Sequence, residues 1–124
     1  MARCVVEPGQ AVRKGEVIAA AEGPMCTAVH APTSGTVLAI EPQPVPHPSG
    51  LPAPSIIIEP DGKDRWIDLT PFDHLAATPQ QTRDYLRDCG IVGLGGAGFP
   101  SHVKLGPGEK GIDTLIINGA ECEP

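Results

Sequence analysis

Val5-Val6-Glu7-Pro8-Gly9-Gln10-Ala11-Val12-Arg13-Lys14-Gly15-Glu16-Val17-Ile18, followed by Ala31-Pro32-Thr33-Ser34-Gly35-Thr36-Val37, decides how the chain folds. Gly9 and Gly15 sit where tight turns are needed, and Val12, Val17 and Ile18 supply apolar positions between them. Ala28 to Ala31 and Thr36 to Ile40 read as further strands, separated by the Pro32-Thr33-Ser34-Gly35 turn. Short β segments punctuated this often make a small barrel or sandwich rather than an α/β sheet.

Composition agrees. The 124 residues suffice for one small domain and the start of another. Aromatic residues are 3% of the chain, so a core must be built from Val, Ile, Leu and Ala. The 15 glycines and 15 prolines are interleaved with apolar runs, which signals many turns between strands. A net charge of −6 argues against a phosphate-backbone partner, so no nucleic-acid binding is expected. No apolar run approaches the ~20 residues that cross a bilayer. The start lacks the basic and apolar regions of a signal peptide, which fits a cytoplasmic setting. Cys4, Cys26, Cys89 and Cys122 form no C-x-x-C pair and read as free thiols. His30, His47, His74 and His102 are scattered, with no metal-ligand spacing, and read as solvated or turn-stabilising.

The β-rich opening resembles the biotinyl/lipoyl carrier fold. In a carrier, a lysine at the tip of an exposed hairpin holds the cofactor. Here the tip falls near Gly23-Pro24-Met25-Cys26 and has no lysine, so no amine is there to acylate. The reading is a structural relative without carrier function.

Further along, residues 42–54 hold six prolines. Proline fixes φ and removes a donor, so the stretch reads as a stiff extended connection with a turn at Ser49-Gly50, not a central strand. Ser55 to Glu59 and Arg65 to Asp68 flank Pro60-Asp61-Gly62-Lys63 and predict a hairpin. From Thr78 the pattern turns helical. Thr78 is a candidate N-cap, Pro79 fits the first turn, Gln81 completes a capping box, and Gly90 suits a left-handed cap. Ser101 to Leu105 predicts a short helix, and Thr114 to Ile117 a buried parallel strand. The domain boundary is placed at 70–78, giving a β domain over 1–72 and an α/β domain from 73.

Gly93-Leu94-Gly95-Gly96-Ala97-Gly98 fits G-x-G-x-x-G. A Rossmann site needs a strand just before it, and here a helix ends at Gly90. A Walker loop needs Gly-Lys-Ser/Thr, which is absent. Consecutive glycines still let amides converge on an anion, a helix starting near Pro100 adds its positive end, and Lys104 lies within reach. From this pattern alone an anion cradle and a tight structural turn are equally good readings.

The wider stretch, Gly93 through Leu105 and then Leu115-Ile116-Ile117-Asn118-Gly119-Ala120-Glu121-Cys122-Glu123-Pro124, resembles the RnfC family of the Rnf ion-translocating oxidoreductases. Val29 to Val37 and Pro46-His47-Pro48-Ser49-Gly50-Leu51 resemble it as well. The flavin-binding subunit of respiratory complex I is a more distant likeness. The resemblance implies an α+β chain: a small all-β barrel-sandwich hybrid, followed by the start of an α/β flavin domain. It implies FMN, exchange of electrons with NAD(H), and [4Fe-4S] clusters. Gly93, Gly95, Gly96, Gly98 and Lys104 match the FMN-phosphate loop, Asn118 and Glu121 the flavin wall, and Phe99 and Glu123 positions near the NADH nicotinamide. Ala120 stands where the complex I protein has an acidic residue.

The family's C-x-x-C-x-x-C-x-x-x-C-P cluster runs do not occur in this chain. The chain therefore reads as the front part of a longer electron-transfer subunit, inactive alone. Its partners would be the other Rnf subunits and a ferredoxin-type carrier, on the cytoplasmic side of the bacterial inner membrane. Two alternatives stand: a non-catalytic β module that docks partner subunits, and part of a soluble flavin and iron–sulfur cobalamin reductase.

Overall fold

The computed structural model describes residues 2–94, 98–106, 111–114 and 116. They divide into two compact units. One comprises Arg3–Ala20 and Val29–Pro71; the other holds Ala21–Ala28 together with the chain from Phe72 onward.

The first unit contains six strands: β1 (Arg3–Cys4), β2 (Ala11–Val12), β3 (Val17–Ala20), β4 (Val29–His30), β5 (Gly35–Pro44) and β6 (Pro52–Pro60). They form two antiparallel three-stranded sheets, ordered β1-β3-β4 and β2-β5-β6, and neither closes into a barrel. Ile18 from the first sheet meets Val12 and Val37 from the second, with Val6 and Ala31 completing the core. Val37 is 0% exposed, the most deeply buried member of that cluster. Cys4, Ile56 and Ile58 pack around it, half-buried. β-Branched side chains dominate because they are stiff and fill a pleated interface.

Gly35 opens β5 where it must lie against β6. A Cβ there would come within 2.0 Å of the Glu59 carbonyl oxygen, so no larger residue fits without moving backbone. Beside it, Ser34 is fully buried yet satisfied. Its hydroxyl donates to Asp61 Oδ1 at 2.6 Å and accepts from the Arg65 amide at 2.8 Å. Asp61 also accepts from the Lys63 amide and from the Arg65 guanidinium. These donors, the Ser34 hydroxyl first, hold its carboxyl well below the usual carboxylate range.

Two expectations need correction. The segment 65–68 does not pair with 55–59: β6 pairs with β5, and Trp66 makes a parallel bridge to Lys14. The Lys14 amide donates to Arg65 O at 2.9 Å, and the Ile67 amide to Lys14 O at 3.0 Å. Lys14 Nζ pairs with Asp64 and lies 5.1 Å from the Trp66 ring centre. The Ser34–Asp61 network turns the chain after β6 away from hairpin formation.

The proline-dense segment is likewise not a plain connection. Pro42 and Pro44 end β5, Pro52 and Pro54 open β6, and they face each other as Pro42↔Pro54 and Pro44↔Pro52. Two prolines cannot be a hydrogen-bonded pair, so these are the non-bonded pairs, and Glu41↔Ser55 and Gln43↔Ala53 carry the ladder. At non-bonded pairs the N–H points outward, so the prolines strip donors from both open edges of the ribbon. The stretch is an edge ribbon, consistent with its exclusion as a central strand. The turn at its tip is where the sequence puts it: the Gly50 amide donates to His47 O, and His47 Nδ1 meets Ser49 Oγ at 2.8 Å.

In the second unit, α1 (Pro79–Asp88) follows the expected start and stop. Thr78 Oγ1 accepts from the Gln81 amide and Gln81 Oε1 accepts from the Thr78 amide, completing the capping box. Gly90 adopts φ 73° after the cap. Tyr85 stacks on Phe72 at 4.1 Å between ring centres. The short helix α2 spans Ser101–Lys104. The strand expected over 114–117 rests on Leu115 and Ile117, which lie outside the described residues.

Candidate functional site

The glycine-rich loop runs between α1 and α2. Its ends are closed by the backbone: Val92 bridges Pro100, the Gly93 amide donates to Phe99 O at 2.9 Å, and the Ser101 amide donates to Ile91 O at 3.1 Å. The two ends of the loop are therefore tied to each other in a closed neck. Gly93, Leu94, Gly98, Phe99 and Lys104 are all exposed, Leu94 to 94%. An apolar side chain so open marks the described loop residues as surface rather than core.

Gly98 has φ +54°, a conformation that L side chains rarely adopt, and among the described residues nothing lies within 4 Å of where its Cβ would be. The residue there is glycine for its backbone geometry, not for lack of space. The element ahead of the loop is a helix, not a strand, so the strand–loop–helix frame of a Rossmann site is absent. The helix behind it is one turn long, so its dipole contributes little, and any anion would rely on loop amides and the Lys104 ammonium.

Among the anticipated site residues, the structure brings Gly93, Gly98, Phe99 and Lys104 to this neck and its flank. Gly95 and Gly96 lie outside the described residues, as do Asn118, Glu121 and Glu123.

One segment escaped the sequence reading. Residues 21–28 connect β3 to β4, at the position of a carrier hairpin's tip, yet they pack with α1 and α2. The Ala28 amide donates to Arg87 O at 3.1 Å, in the last turn of α1. His102 Nε2 meets Pro24 O at 2.9 Å. The carbonyl can only accept, so Nε2 carries the proton, and Nδ1 is buried with no partner among the described residues. The contact joins positions 78 apart. No local pattern announces it, which is why His102 reads as one scattered histidine among four.

The first unit is thus a barrel-sandwich hybrid of the biotinyl/lipoyl kind, the segment at the place of a carrier's tip holds no acceptor lysine, and a glycine-rich loop on a closed neck comes later in the chain. Residues 1–63 match the model of the RnfC barrel sandwich hybrid domain, and residues 86–124 match that of the Nuo51 FMN-binding domain. The chain is 56% identical over 126 residues to the C subunit of the ion-translocating oxidoreductase complex of Pseudomonas aeruginosa, covering 99% of this chain and 16% of that protein. It is 52% identical over 120 residues to the protein of the same name from Pectobacterium atrosepticum, covering 96% and 17%. The Rhodobacter capsulatus protein is 48% identical over 122 residues, covering 97% and 24%. The chain belongs to the RnfC family. It spans about a sixth of the length of the first two relatives.

Proposed function

We propose that this chain is the N-terminal part of an electron-transfer subunit. In this reading the full protein binds FMN, exchanges electrons with NAD(H) and serves a membrane-bound ion-translocating complex. The observation that carries the reading is the coincidence of two things at one place. The match to an FMN-binding domain covers 86–124, and the closed neck with its exposed described residues lies inside that span. Relatives named as parts of an ion-translocating complex, at 48–56% identity, favour this over the cobalamin-reductase alternative.

The described residues fit the phosphate end of the flavin. The neck fixes both loop ends, Gly98 turns the backbone, the described loop residues are open to solvent, and Lys104 supplies a positive charge one turn on. Amides held in place before binding lose little entropy when they meet an anion. The proposed division of labour is then simple. Gly95, Gly96 and Gly98 offer backbone donors to the phosphate, Gly93 keeps its own amide in the neck bond to Phe99 O, and Lys104 acts as a point charge. Asn118 and Glu121 line the flavin, and Phe99 and Glu123 adjoin the nicotinamide. When bound, FMN supplies the ability to take a hydride and release electrons singly; the protein supplies position and electrostatics. The onward acceptors would be [4Fe-4S] clusters held by downstream cysteine runs, then a ferredoxin-type carrier. Among the described residues no helix is long and apolar enough to cross a membrane. The proposed attachment is peripheral, through the other subunits, on the cytoplasmic side of the inner membrane.

Titration of the full-length apo-protein with FMN, followed by flavin fluorescence quenching, tests the proposal. One FMN per chain is expected, with affinity reduced in Lys104→Ala. The 124-residue chain alone, about a sixth of the length of the first two relatives, should bind little if it carries only part of the pocket. A full-length protein that takes up no FMN overturns the reading.

A further inference from the structure

We infer that residues 21–28 latch together the two flanks of the glycine-rich loop and that His102 is the positioning residue of this latch. The inference rests on the flavin reading for what the latch serves, but the latch itself rests on the hydrogen bonds. The loop has two flanks. The last turn of α1 precedes it, and α2 follows it. The segment 21–28 is bonded to both: the Ala28 amide to Arg87 O at 3.1 Å, and Pro24 O to His102 Nε2 at 2.9 Å. The neck bonds, Gly93 to Phe99 and Ser101 to Ile91, then carry that restraint to the loop's ends.

A short helix such as α2 has little stability of its own. The tie from His102 therefore holds the residues that must stay oriented if the loop amides are to converge on a phosphate. The segment has a carrier tip's place in the chain without its lysine, so it is free for another task. That task is to brace the ligand loop instead of swinging a cofactor. Glutamine can present an amide N–H to Pro24 O; alanine cannot.

The test uses the full-length protein as wild type, His102→Ala and His102→Gln. FMN affinity is measured by fluorescence titration. Hydrogen exchange of peptides covering 21–28 is measured with and without FMN. In His102→Ala, exchange at 21–28 should rise and FMN affinity should fall about three- to tenfold, the worth of one hydrogen bond. His102→Gln should restore both, and in wild type FMN should slow exchange at 21–28. Unchanged exchange in His102→Ala overturns the latch. Faster exchange with wild-type affinity overturns its coupling to the ligand loop, and lost affinity that glutamine does not rescue overturns the hydrogen-bond account. A wild type that binds no FMN defeats the flavin reading instead, while exchange in His102→Ala still decides the latch.

Discussion

Replacing Val37 with alanine tests the core directly. Val37 is 0% exposed and touches side chains from both sheets. The change removes two methyl groups, about 1.6 kcal/mol of burial at about 0.8 kcal/mol each. Its neighbours Val6, Val12 and Ile18 are β-branched and stiff, so the gap cannot close well. A void of roughly 40–50 Å³ adds about 1 kcal/mol at about 24 cal/mol per Å³. The expected loss is about 2–3 kcal/mol, which for a unit of this size lowers the melting temperature by about 10–20 °C. Leu38 is next in the chain, at a bulge and 54% exposed. Leu38→Ala removes more carbon and should still cost less than about 1 kcal/mol, because much of that side chain is already in water. Trp66 is the chain's single tryptophan and belongs to the same unit, so its fluorescence reports that unit's unfolding in urea. If Val37→Ala proves no more costly than Leu38→Ala, the two-sheet core described here is wrong.

Gly35→Ala should prevent the β5–β6 ladder from forming, since its Cβ would lie 2.0 Å from Glu59 O; loss of the cooperative Trp66 transition checks this, and a near-normal transition would contradict it. Asp61→Asn should destabilise the unit at neutral pH. The folded carboxyl sits below its unfolded value, so its contribution is present above about pH 4 and fades as pH falls further, and urea midpoints of wild type and variant should converge there. Converting Pro42 and Pro44 to valine restores two outward donors to an open ribbon edge, so the double variant should self-associate with concentration in sedimentation experiments where the parent does not.

Much of the fold is legible because its signals are local. Thr78, Pro79 and Gln81 announce the start of α1 through hydrogen bonds made within four residues. Gly90 announces its end, and Ser49-Gly50 the ribbon turn, for the same reason. The β-rich opening is legible through its spacing of valines and glycines. The partners of Trp66 and Ile67 are not: proximity in sequence suggested β6, whereas the Ser34–Asp61–Arg65 network, closed across some thirty residues, delivers them to Lys14. The prolines misled for a different reason. Their lost donors forbid a ladder in general, but alternate spacing on two opposed strands places every loss on the outside.

The same division holds at the candidate site. The sequence by itself determined the glycine loop, its Lys104 and the lack of a lysine at the hairpin tip, because residue identity settles backbone freedom, charge and acylation chemistry. Only the tertiary structure decided that the tip segment is bonded to Arg87 and His102. Such a bond depends on two distant stretches arriving at one place, and no short-range preference encodes that meeting.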